Sequence, residues 1–122
     1  MANTQFVKAE PIRTLAGSSI TSSFLAVGTP TAFTTRIFSL VNNTDGDVFF
    51  SLDGTNENFF LPTKSYKIFD FTANRLSVDD RFAIEANTQI YVKQSSNTTT
   101  GAVYVECVYG VNDVQRPGRA QP

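Results

Sequence analysis

The residues able to do chemistry are few and mostly acidic. Asp45, Asp47 and Asp53 lie in or beside two polar loops. Oxygen-rich loops hold calcium in many proteins, but no twelve-residue calcium loop is present, and Asp is a common turn residue because its side chain caps nearby backbone. Asp79 and Asp80 adjoin Arg81. A carboxylate pair can work as acid and base, yet adjacent residues on a strand point to opposite faces, so a solvated loop is the expectation. Asp70 sits between Phe69 and Phe71. Facing inward it needs a partner, because a lone buried carboxylate is costly; Arg36 and Arg75 are the candidates for a structural ion pair. Cys107 is the single cysteine. A reactive thiolate needs a cation or a helix N-terminus beside it, and Val105, Val108 and Tyr109 offer neither, so core packing is expected.

Composition removes most alternatives. Histidine is absent, which excludes Ser-His and Cys-His nucleophiles. One cysteine without histidine leaves no ordinary zinc site and no internal disulfide. Ten basic residues stand against eleven acidic ones, a net charge of −1, so no basic face is available for sequence-independent nucleic-acid binding. No stretch approaches the roughly 18 apolar residues of a membrane helix. We expect no catalysis, no cofactor, no metal, no direct nucleic-acid contact and no membrane partner. Met1 to Gln5 carry no basic stretch leading into an apolar run, so no secretory signal is expected. Synthesis in the cytosol and a reduced thiol follow from that. The acceptor patterns at Asn42-Asn43-Thr44 and Asn97-Thr98-Thr99 are then matches by chance in a chain rich in Asn and Thr.

The elements that position these residues read as strands. Phe is frequent, at 11 residues, and no window shows helical spacing of apolar residues. Strands are expected at 11–15, 20–27, 35–42, 47–52, 58–61, 66–71, 82–85, 88–94 and 102–109. In 35–42, Ile37, Phe38, Leu40 and Val41 are apolar on both faces, which predicts a central strand. In 102–109, Val103, Val105, Cys107 and Tyr109 share one face, with Tyr104 and Glu106 on the other. Asn42 to Gly46, Asp53 to Asn56, Leu61 to Lys64 and Ser95 to Gly101 supply turn residues between them. Such spacing predicts an all-β domain of about eight strands: one antiparallel β-sandwich, with a jelly roll or a small barrel as the topologies left open. Phe49, Phe59, Phe60 and Tyr91 exceed what one such core needs. Surplus aromatics stack sugars or bases, or pack on another subunit; with few basic residues nearby, base stacking is the weaker idea.

Three segments carry a resemblance. They are Thr35-Arg36-Ile37-Phe38-Ser39-Leu40-Val41-Asn42-Asn43, then Val48-Phe49-Phe50-Ser51-Leu52-Asp53-Gly54-Thr55-Asn56 running to Phe60-Leu61-Pro62, then Thr88-Gln89-Ile90-Tyr91-Val92-Lys93 leading to Gly101-Ala102-Val103-Tyr104-Val105. Their order resembles that of small virion-associated structural proteins of tailed bacteriophages. There a strand ending in Asn-Asn precedes a V-x-x-S-x-D-G-x-N hairpin and a Pro-x-x-Ser turn, here Pro62 to Ser65. A Gly-Thr-Gln strand then leads to a closing G-x-V-Y-V strand. The first position of that strand is Asn87 in this chain, a departure that a turn tolerates. The resemblance covers about residues 35–110. Its motifs are scaffold motifs, and the family brings no catalytic residues.

The resemblance implies a virion structural protein, as a capsid decoration or cement protein or as a head–tail connector, neck or tail component. Three segments follow: an N-terminal arm at 1–11, the sandwich at 12–110 and a C-terminal arm at 111–122. Residues 1–5 and 115–122 should be disordered alone in solution. The arms are expected to lie on neighbouring virion subunits, with Phe6, Val7, Ile12, Val111, Val114, Arg116 and Arg119 making the contacts and the two arginines meeting an acidic groove. The expected partners are other virion proteins and further copies of the chain in a homo-oligomer. The alternative is a receptor- or carbohydrate-binding sandwich module of a phage particle.

Overall fold

In the computed structural model, residues 5–71 and 83–112 are described, with the side chains of Gln5 and Asn112 left aside. Among the described residues nine strands form two antiparallel sheets. They are β1 (Gln5–Ala9), β2 (Arg13–Ala16), β3 (Leu25–Ala26), β4 (Ile37–Thr44), β5 (Val48–Ser51), β6 (Phe59–Leu61), β7 (Ser65–Asp70), β8 (Tyr91–Gln94) and β9 (Gly101–Asn112). The five-stranded sheet runs β1-β9-β4-β7, and β2 also pairs with β9. The four-stranded sheet runs β3-β8-β5-β6. The all-β class and the antiparallel sandwich expected from the sequence are the architecture found. Two separate sheets with open edges replace the small barrel.

Alternation explains the layers. In β4 the even-numbered Phe38, Leu40, Asn42 and Thr44 are buried, while Ile37, Ser39 and Val41 are half-exposed. β9 answers with Val103, Val105 and Cys107. From the other sheet come Val48, Phe50, Leu61, Ile90 and Val92. Because strand side chains alternate faces, both sheets meet through their apolar rows and close one core. Ile84 forms only a single bridge, with Thr35. Phe82, the start of the strand expected at 82–85, lies outside the described residues.

Departures from the expected spans have local causes. The strand expected at 20–27 shrinks to β3. The Thr21 hydroxyl donates to the Ser23 carbonyl and accepts from the Ser23 amide, and a 3₁₀ turn occupies Gly17–Ser19. Hydroxyl residues that bond local backbone compete with the sheet ladder. β1 begins at Gln5, inside the stretch expected to be disordered. It pairs with the end of β9, with Phe6 opposite Val111 and Ala9 opposite Val108. Since β4 pairs with β9 only as far as Val108, residues 109–112 and β1 form a two-stranded ribbon running past the sandwich. Part of each expected arm is therefore strand, one paired with the other.

The scaffold motifs have visible jobs. Asn42 is buried; its amide donates to the carbonyls of Gly46 at 2.9 Å and Leu61 at 3.0 Å, and its oxygen accepts from the Thr44 hydroxyl at 2.6 Å. It ties the end of β4 to the next turn and to β6. In the Pro-x-x-Ser turn the Ser65 hydroxyl donates to the Pro62 carbonyl. Asn87 has φ +67°, the left-handed region that glycine enters freely and Asn enters more easily than most residues. That is why a turn accepts Asn where the resembling proteins have Gly.

Candidate interaction surface

The acidic residues singled out by the sequence are separate turn caps. Asp45 accepts from the Thr99 hydroxyl and from the amides of Thr99 (2.7 Å) and Thr100 (3.2 Å), which together hold its carboxyl well below the usual range. Asp53 accepts from the Asn56 and Thr55 amides at 2.8 and 2.9 Å, from the Asn56 side chain and from the Ser51 hydroxyl, with the same effect. Asp47 accepts from the Thr63 amide at 2.9 Å. Asp53 caps its own turn, while Asp45 and Asp47 each join one loop to another. Among the described residues no group of three potential ligands converges on a metal position. Asp70 is exposed on β7, so the condition for a buried ion pair does not arise. Asp79, Asp80, Arg75 and Arg81 lie outside the described residues.

Cys107 is core, as expected, and burial pushes its thiol up, against the charge of Arg13. The Arg13 Nη1 lies 3.8 Å from its sulfur. A thiol in that state is neither ionised nor reachable.

Sequence reading missed the buried pair Glu10–Arg13. Arg13 Nη2 and Glu10 Oε1 are 2.7 Å apart, and both side chains are almost fully enclosed. Arg13 also donates to the carbonyls of Thr29 (2.6 Å) and Pro30 (3.0 Å), while Glu10 accepts from the amides of Ala32 and Phe33, both at 3.2 Å. Burial raises the Glu10 pKa, but the bonds from Arg13, Ala32 and Phe33 and the charge of Arg13 outweigh it, so the carboxyl is held low. Every charge has a partner, which is what a buried pair requires. It fastens the segment 29–33 to the β1–β2 connection. A signal was present: in β2, Arg13 shares its face with Leu15, opposite Val105 and Val103, which puts a cation inside and demands an acid.

The surplus aromatics divide. Phe59 stacks against Phe69 with centroids 5.0 Å apart, joining the β6 and β7 edges and closing one side of the sandwich. Phe49 and Phe60 pair at 5.3 Å on the outside of the four-stranded sheet. Lys93 lies over Phe49 and Phe24 and pairs with Glu57 at 2.7 Å. Tyr91 packs at the Gly54 turn. Phe33 stacks on Tyr109 at 4.0 Å.

The outer surface of the five-stranded sheet is different. Register places Tyr66, Val41, Tyr104 and Thr14 in one row, Ile68, Ser39 and Glu106 in the next, and Asp70, Ile37, Val108 and Ala9 in a third. Val7 extends the face onto the ribbon. No described strand lies over it: Tyr66 is 67% exposed, Ile68 60% and Val7 76%. The outward face of an antiparallel sheet is ordinarily polar. This one is mainly apolar, and contiguous apolar patches on a domain mark contact surfaces.

Of the residues expected to contact partners, Val7 is on this face. Phe6 and Val111 form a cross-strand pair on the opposite side of the ribbon. Ile12 is exposed in the β1–β2 connection. Val114, Arg116 and Arg119 lie outside the described residues. The sequence reading did not single out Tyr66, Ile68, Val41 or Tyr104; outward apolar alternation on β4, β7 and β9 was the available signal.

The fold matches a solved chain of the cyanophage Pam1 capsid asymmetric unit, at 16% identity and a TM-score of 0.52, over 88% of this chain and 86% of that one. A second match is the SPP1 Dit protein, described as a hub adsorption apparatus in phages infecting Gram-positive bacteria, at 14% identity and a TM-score of 0.38; it covers 84% of this chain and 49% of Dit. The first match shows a shared fold, while the score of the second is too low to show one. No protein-family model and no curated protein matches the sequence. Among the described residues no helix is long and apolar enough to cross a membrane.

Proposed function

We propose that this protein is a non-enzymatic structural component of a phage virion. It binds neighbouring capsid or neck and tail subunits through the outer face of its five-stranded sheet and through its terminal segments, 1–11 and 111–122, and so stabilises the particle. The observation that carries this reading is the open apolar face around Tyr66, Ile68, Val41 and Tyr104, on a fold shared with a chain of a phage capsid asymmetric unit. A monomer gains nothing by leaving such a face in water. The strand order, β2-β9-β4-β7 facing β3-β8-β5-β6, supports reading the sandwich as a jelly roll with β1 added at one edge. Carbohydrate binding is the second reading, since Tyr66 is an open ring. It is less favoured because Phe33 is stacked on Tyr109, Phe60 is paired with Phe49, and Tyr66 lies in an apolar row beside Val41 and Tyr104.

Limited proteolysis with mass spectrometry tests this on the isolated protein and on purified particles. The chain should be present in particles at stoichiometric copy number, and cuts outside the β1–β9 pairing, within 1–4 and 113–122, should be fast in isolation and blocked in the particle. Absence from purified particles, or equal cleavage in both states, would sink the proposal.

A further inference from the structure

Resting on the virion reading, we propose that the outer face of the five-stranded sheet receives the C-terminal segment, residues 113–122, of a neighbouring copy of the same chain. The first argument is that strand addition is discouraged at the edges. β3 has two residues, and β6 has three and runs into Pro62. β7 carries Lys67 opposite Leu40, on the core-facing side, β1 carries Lys8, and β2, which pairs only with β9, has four residues. Short strands, proline and edge lysines are the usual guards against edge pairing. A partner therefore meets the face.

The second argument is charge. Glu106 is the acid in the middle row of this face; Asp70, at the β7 border, already has an interaction within the chain. Glu106 is exposed and has no bonding partner among the described residues. Two copies stacked face to face would enclose two Glu106 carboxylates without a counter-charge, which disfavours an isologous contact. The occupant that fits is apolar with a base. In this chain, Val114-Gln115-Arg116-Pro117-Gly118-Arg119 has two arginines and one apolar residue, and Asp113 is the single acid among residues 113–122.

The third argument is reach. Asn112 ends the ribbon beyond the sandwich. Ten further residues span at most roughly 33 Å, enough to cross onto an adjacent molecule. A tail seated on the next copy's face is a heterologous contact, and such contacts close into rings when the rotation allows.

Charge reversal in trans tests the proposal. Light scattering and sedimentation of the full chain should show concentration-dependent assembly. Glu106→Arg alone, and Arg116→Glu with Arg119→Glu, should each weaken association about tenfold or more. Each should leave the thermal midpoint unchanged. An equimolar mixture of the two variant proteins should recover wild-type assembly, since each tail then faces the opposite charge. A wild type that is monomeric up to about 0.5 mM, or a mixture no better associated than its components, overturns the proposal. A tail docked on its own face gives that second result. A monomer that still enters particles removes this contact and leaves the virion role standing. An assembling protein that is absent from particles does the reverse.

Discussion

Glu10 and Arg13 stand three residues apart, on either side of the kink between β1 and β2, and their enclosure has a thermodynamic consequence. A group whose folded pKa lies below its unfolded value contributes stability above the unfolded pKa, and that stability is lost as pH falls through the folded one. Glu10 is held below its ordinary 4.5, so its contribution is complete at neutral pH and disappears progressively below that value. Asp45 and Asp53 titrate with the same sign. Glu10→Gln leaves Arg13 enclosed without its counter-charge and should cost roughly 3 kcal/mol at pH 7. Denaturant unfolding followed from pH 7 to pH 2 should show the gap between variant and wild type closing in acid. A constant gap would mean that Glu10 acts through packing alone. At this scale the sequence was legible where chemistry is local. The turn cap Asp53 could be inferred from its neighbours in the chain, Ser51, Thr55 and Asn56, whereas the Thr99 and Thr100 partners of Asp45 and the Arg13 beside Cys107 are brought in by the fold. For Glu10–Arg13 the sequence offered only the shared face of Arg13 and Leu15, because the pair's other partners are carbonyls and amides of residues 29–33, brought there by the fold.

Period-two alternation made β5, β7, β8 and β9 visible in advance, and an apolar run on both faces did so for β4. β1 was not visible. Its five residues, Gln5-Phe6-Val7-Lys8-Ala9, alternate weakly, and their ladder partner lies about a hundred positions away on β9. Such pairing is paid for by a long-range contact that composition does not announce. Turn geometry is also decided at this scale. Gly101 opens β9 at φ +78°, and a Cβ there would stand 1.9 Å from the Asn43 carbonyl oxygen. Both the backbone conformation and the approach of β4 exclude a side chain. Gly101→Ala should therefore destabilise by about 1–3 kcal/mol from the strained backbone alone, read as a lowered midpoint in thermal unfolding. An unchanged midpoint would show that the β4–β9 junction can relax. The strand order itself was beyond periodicity, because alternation identifies strands without saying which of them are neighbours.

Across the whole molecule, the two sheets differ in what they show to the outside. The four-stranded sheet covers its outer rings with Lys93 and with one another. The five-stranded sheet leaves Tyr66 and Ile68 open. The sequence placed Tyr104 and Glu106 on the side opposite Val103, Val105 and Cys107. It did not show that their rows run together, because that depends on the registers of β7, β4 and β9. The scaffold motifs pointed to strands β4, β5, β8 and β9, and the surface these strands share with β7 emerges only when they are laid side by side. Ile68→Arg tests the central claim most directly. The side chain points to water in the isolated protein, so folding and thermal midpoint should stay within about 0.5 kcal/mol of wild type. Incorporation into particles, measured by quantitative mass spectrometry after complementation with the variant, should fall at least tenfold if this face is the contact surface. Incorporation at the wild-type level by a folded Ile68→Arg protein would contradict the account.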